Sequence, residues 1–109
     1  MLECLVANRL FAMGLPYRYE CRLYLRGADK VRYPDFTVKS PYTGKIIYIE
    51  VFGLMDQPEY AKAAFAKINL YAREGIVIGD NFLPVFEYPG VPFDPKAFTV
   101  SMGRLLKLP

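Results

Sequence analysis

"YPDFTVKSPYTGKIIYIEVFG", residues 33–53, reads as two β-strands joined by a turn, and it carries two acids where a buried sheet wants apolar side chains. Residues 45–52 are nearly continuously apolar (Ile46, Ile47, Tyr48, Ile49, Val51, Phe52), as in a central strand covered on both faces, yet Glu50 sits among them. Asp35 follows Pro34 in the partner strand. By alternation Asp35 shares a face with Tyr33 and Thr37, and Glu50 with Tyr48 and Phe52. Pairing through the "SPYTG" turn can therefore set the two carboxylates side by side. A buried carboxylate is costly unless it is paired, coordinated or neutralised. Two explanations fit: Asp35 ends a turn while Glu50 makes a structural ion pair, or the two share a cation. Mg²⁺ suits the second, because it takes one or two carboxylates plus waters and phosphate oxygens, and the backbone carbonyl of Val51 could add a ligand.

Working outward, Leu2, Leu5, Val6, Leu10 and Met13 recur at helical spacing until Gly14 and Pro16 end the pattern. Residues 17–25 alternate and predict a strand, "RGADK" predicts a turn, and a second strand is expected over 31–39. Asp56 is placed to cap a helix from Pro58 to about Glu74, with Gly75 at its end. "IVIG" and "FLPVFEY" predict two short strands, the latter at an edge or a bulge because of Pro84. Asp94 and Pro95 predict the cap and first turn of a last helix reaching about Lys107. The order α-β-β-β-α-β-α makes an α/β protein: an antiparallel meander of three strands, a fourth strand joined through a helix, and helices packed on a mixed sheet.

Composition agrees with one ordered domain over residues 1–109: 53% of the chain is hydrophobic and 23% charged. There is no histidine, which excludes His-based triads and the usual zinc sites. Chemistry here must rest on carboxylates, lysines, tyrosines or a hard metal. Cys4 and Cys21 are too few for a disulfide framework and are expected to be free thiols. With no long apolar run and no leader visible, a cytoplasmic protein without a membrane span is expected. The net charge of +3 is uneven: Arg18, Arg22, Arg26, Lys30, Arg32, Lys39 and Lys45 face only Glu20, Asp29 and Asp35 within residues 18–45. Tyrosines interleave with these bases, a pattern that suits a phosphate backbone with unstacked bases and equally suits one solvated strand face.

The second helix bears on the carboxylates. At about 100° per residue, Tyr60, Ala64, Lys67 and Tyr71 form one stripe, with Lys62, Asn69 and Arg73 opposite. Lys67 thus lies on the inward stripe, either snorkelling along apolar surface or bringing an ammonium to a carboxylate–metal site. Glu3 borders the apolar face of the first helix, where it could reach a metal or act as a first-turn acid.

Taken together, "E…LVANRL…GLPYRYE…YPDFTV…YIEVFG…DQPEYA…K…Y…EGI" resembles a small branch of the PD-(D/E)xK nuclease-like superfamily, found in phage-related, helicase-associated and uncharacterised bacterial proteins. The resemblance runs from Glu3 to the "FEY" strand and implies the αβββαβ, restriction-endonuclease-like core with an extra C-terminal helix. It implies an Mg²⁺- or Mn²⁺-dependent hydrolase of DNA phosphodiesters that leaves a 5′-phosphate and a 3′-hydroxyl. In it, Asp35 matches the metal-binding aspartate, Glu50 the acidic member of the (D/E)xK element, and Glu3 the helix glutamate that completes such sites. Glu20 matches a recurrent position of unassigned role. The chain departs from the pattern at Phe52, where the superfamily carries its lysine, and Lys67 on the adjacent helix is the expected replacement. Because the chain begins two residues before Glu3, the first helix is expected to be shortened relative to longer relatives. Arg22, Arg26, Lys30, Arg32 and Lys39, on and beside the "RLYLRGADKVR" hairpin, are expected to contact the nucleic acid. The alternative is a catalytically inactive nuclease-fold module that binds nucleic acid or a helicase or recombination partner. A homodimer is compatible with either reading.

Overall fold

A computed structural model describes residues 1–24 and 31–109. Its elements are α1 (Leu2–Ala12), β1 (Tyr17–Tyr19), β2 (Phe36–Lys39), β3 (Ile46–Phe52), α2 (Pro58–Arg73), β4 (Phe82–Phe86) and α3 (Pro95–Leu106). The four strands form one sheet in the order β1-β2-β3-β4. β1/β2 and β2/β3 are antiparallel, and β3/β4 is parallel, joined through α2. The α/β architecture with a mixed sheet and a C-terminal helix is therefore as the sequence predicts.

Alternation divides the sheet into two unlike faces. Phe36, Val38, Ile47, Ile49 and Val85 point towards α1 and α3, where Leu2, Val6, Leu10, Phe98, Met102 and Leu106 complete the main core. The other face carries Thr37, Tyr48, Glu50, Phe52 and Phe82 towards α2. Its core is thin: Tyr71, Ile76 and Phe82 are buried, with Tyr48 and Ile68 partly so. Glu50 lies on this thinner side.

Several expected boundaries move. The first strand ends at Tyr19 instead of residue 25, because Glu20 turns into the left-handed region with φ 49°. Beyond it only the bridge between Leu23 and Arg32 continues the pairing among the described residues. The second strand starts at Phe36 instead of 31, since Pro34 has no N–H to give to a ladder. Asp56 does not cap α2; the N-cap is Gln57, without a side-chain bond. The "IVIG" segment contributes only an isolated bridge from Ile78 to Phe82, its Ile76 being buried in the small core instead. Asp94 caps α3 as expected, its Oδ1 accepting from the N–H groups of Lys96 at 3.0 Å and Ala97 at 3.1 Å.

Candidate active site

The β2–β3 register pairs Phe36 with Ile49, so continuing back past the start of β2 puts Asp35 beside Glu50 and Pro34 beside Val51. There the ladder has run out, and the Asp35 carboxylate replaces it: Oδ2 accepts from the Val51 N–H at 2.7 Å. On the other side Glu50 pairs with Pro84 of β4. This holds Glu50 of β3 and Asp35, just before β2, side by side on the face that α2 covers.

Glu50 is only 4% exposed and both its oxygens are engaged from α2. Lys67 Nζ donates to Oε2 at 2.8 Å, and the Tyr71 hydroxyl donates to Oε1 at 3.0 Å. Lys67 and Tyr71 are four residues apart, one helical turn, and so reach the same carboxylate from one face. Ala64 packs beneath the helix, and the Tyr60 hydroxyl accepts from the Gly53 N–H at 3.2 Å. The inward stripe of α2 is thus the one that helical periodicity predicts. Burial, then the charge of Glu50, pushes the Tyr71 phenol far above its usual range, so it stays a donor.

Asp35 is held differently. Burial is the main cause that pushes its carboxyl up to about 6; the charges of Glu50 and Glu3 add to this, while the Val51 N–H and Lys67 oppose it. Its Oδ1 accepts no hydrogen bond among the described residues. Since no buried side-chain oxygen or nitrogen among them lacks a partner, Oδ1 is open to solvent. Beside the pair, a cleft of about 170 Å³ is lined by Glu50, Val51, Phe52, Tyr60, Ala64 and Lys67.

The remaining predicted site residues divide. Glu3 does not join the pair in a shared ligand cluster: it projects from α1, on the opposite face, and accepts a hydrogen bond from the Tyr19 hydroxyl. No group of three or more Asp, Glu, His or Cys side chains is arranged to hold a metal among the described residues. Val51 enters through its N–H. Arg32, expected at the nucleic acid, is instead buried, its Nε donating to Glu74 Oε2 at 3.0 Å and its Nη2 bonding Oε1. Its position against the end of α2 explains the change: this bidentate pair ties the start of β2 to the helix terminus. Arg22 is exposed and donates to the Tyr24 hydroxyl at 2.9 Å, Lys39 is exposed on β2, and Arg26 and Lys30 lie outside the described residues. Glu20 is exposed, and its N–H bonds the Asp35 carbonyl at 3.0 Å, so its role is in the backbone turn.

No family model, curated protein or solved structure matches the chain. What the site can do must therefore be read from its own chemistry. Mg²⁺ needs no all-protein cage, and one or two carboxylates with waters suffice. Asp35 offers an open oxygen to such a cation, and its carboxyl is raised first by burial and then by the neighbouring charges of Glu50 and Glu3, whereas both Glu50 oxygens are engaged by Lys67 and Tyr71. Reasoning from sequence placed Tyr71 inward but gave it no part in the site. The signal was present in its one-turn spacing from Lys67. Nothing local could have paired Arg32 with Glu74.

Proposed function

We propose that this protein is a divalent-cation-dependent phosphodiesterase acting on DNA in the cytoplasm. The observation that carries the reading is the convergence of Lys67 on Glu50 from α2 at 2.8 Å, with Asp35 beside it just before β2. Phe52 occupies the strand position where the resembled superfamily places its lysine, and Lys67 brings an ammonium to the same carboxylate from the helix. Asp35 and Glu50 would hold Mg²⁺ or Mn²⁺, which when bound lowers the pKa of a water and offsets charge on the phosphoryl group. The chain's own residues supply the rest. Tyr71 and the Val51 N–H fix the orientation of Glu50 and Asp35. Lys67, whose side chain is 43% exposed, is within reach of the solvent cleft, where it positions the attacking water and stabilises developing negative charge. Sheet hydrogen bonding fixes the backbone of Glu50, and α2 brings Lys67 and Tyr71 to it from the covering side.

The second reading is a nuclease-fold module that binds nucleic acid, or a helicase or recombination protein, without cleaving. It draws on Glu50 already having both oxygens engaged by Lys67 and Tyr71. The deciding assay incubates the protein with single-stranded, nicked, branched and duplex DNA, with and without Mg²⁺ or Mn²⁺, beside Asp35→Ala and Glu50→Gln. Cleavage that needs the metal and both carboxylates, leaving 5′-phosphate ends, supports the hydrolase. Binding without cleavage by the folded parent on all four substrates supports the module.

A further inference from the structure

On the α2 side of the sheet, the rows beyond Glu50 lead into a second feature that the catalytic reading does not use. Register places Arg18 of β1 opposite Thr37 and Thr37 opposite Tyr48, and the next row along pairs Lys39 with Ile46. At about 3.3 Å per residue these rows lie roughly 7 and 13 Å along the strand from Glu50. Around them is a groove of about 410 Å³ lined by Pro16, Arg18, Cys21, Thr37, Lys39 and Ile46. Its floor is apolar, with Ile46 42% exposed, and among the described residues no acid lines it. Arg18 and Lys39 make neither an ion pair nor a side-chain hydrogen bond among the described residues. Their charges stand uncompensated on either side of an apolar floor.

We infer that this groove is the track for an unpaired strand of the substrate, running away from the Asp35–Glu50 pair; the inference rests on the phosphodiesterase reading. Two cations roughly one strand row apart match consecutive phosphates, which position a nucleic acid without reading its sequence. The floor decides between single and double strands. A duplex keeps its base faces stacked inside and turns phosphates outward, which would leave Ile46 and Pro16 wet. Unpaired nucleotides can lay apolar base faces on the floor while their phosphates meet Arg18 and Lys39. Arg18 thus takes the place that the sequence assigns to Arg32, whose guanidinium is committed to Glu74.

The test is fluorescence anisotropy in EDTA, where no cleavage occurs, with a short single-stranded DNA and the blunt duplex of the same sequence. The parent is expected to bind the single strand at least about tenfold more tightly than the duplex. The double variant Arg18→Ala/Lys39→Ala is expected to bind it about tenfold more weakly, with the slope of log affinity against log salt reduced by about 1.4. The charge-keeping pair Arg18→Lys/Lys39→Arg should retain binding, which separates lost charge from a damaged fold. Equal affinity for the two DNAs, unchanged binding by the alanine pair, or equal affinity for an acidic peptide overturns the inference. Cleavage assays keep the two ideas apart. A parent that prefers single strands but never cleaves overturns the hydrolase alone, whereas a cleaving Arg18→Ala/Lys39→Ala protein with unchanged KM overturns the groove alone.

Discussion

Glu50 and Asp35 meet the cost of burial in different ways, and the difference is measurable. Glu50 divides its oxygens between Lys67 and Tyr71, while Asp35 has one N–H and an open oxygen. The Asp35 carboxyl is raised from its ordinary 3.8 to about 6, so the folded protein holds this proton more tightly than the unfolded chain does. That contribution to stability is fully present below 3.8 and is lost as pH rises through about 6. Discounted for solvent screening, the loss is about 1–2 kcal/mol. Urea denaturation across this window should show it in the metal-free parent, and Asp35→Asn, which keeps an acceptor for Val51 and cannot ionise, should flatten it. At Glu50, Tyr71→Phe keeps the ring packed edge-on against Phe82 and removes one donor, costing about 1–2 kcal/mol. Lys67→Met leaves the carboxylate with Tyr71 alone. It should cost about 1–3 kcal/mol in urea denaturation and lower metal-dependent cleavage by at least about 10²-fold.

Among the elements, the start of β2 is where local and long-range forces meet. Pro34 ends the ladder, Asp35 takes over the orphaned Val51 N–H, and Arg32 just upstream is tied to the end of α2. The Arg32–Glu74 side chains are 8% and 10% exposed, so removing one partner takes a charge-assisted bidentate pair out of a largely buried setting. Glu74→Ala should therefore lower stability by about 1–3 kcal/mol, read as a shifted denaturation midpoint. Arg32→Ala should behave likewise and leave the salt dependence of DNA binding unchanged, since its guanidinium faces the helix and not solvent. On β4, Glu87 N–H bonds the Phe52 carbonyl, so alternation turns the Pro84 position away from β3. A proline there withholds a donor from the open edge and discourages another strand from pairing.

Over the whole molecule, stability and site are assigned to opposite faces. The deep apolar layer between the sheet and the α1/α3 pair can carry the fold, which leaves the thinner α2 face to hold charged groups in a fixed frame. Among the described residues no helix is long and apolar enough to cross a membrane. A cation that binds only the folded pair must stabilise the whole domain, by about 2.7 kcal/mol at a hundredfold excess over Kd. Thermal unfolding at about pH 7.5 should respond to Mn²⁺ by that route, Asp35→Ala should abolish the response, and the response should shrink as Asp35 gains its proton below about 6.

Periodicity and punctuation alone determined the α/β class, the strand order up to the crossover, the inward stripe of α2 and the cap at Asp94. These are local properties: alternation, helical spacing and a residue's own backbone preference suffice to state them. The two acids in residues 33–53 likewise stood out as a candidate site, because apolar neighbours make a carboxylate conspicuous. Partner choice was decided only by the tertiary structure. Arg32 was directed to Glu74 across 42 positions, Glu3 to Tyr19 on the far face, and Glu50 to both Lys67 and Tyr71. A charged side chain is satisfied by whichever opposite group the packing brings within about 3 Å, and sequence distance carries no information about that.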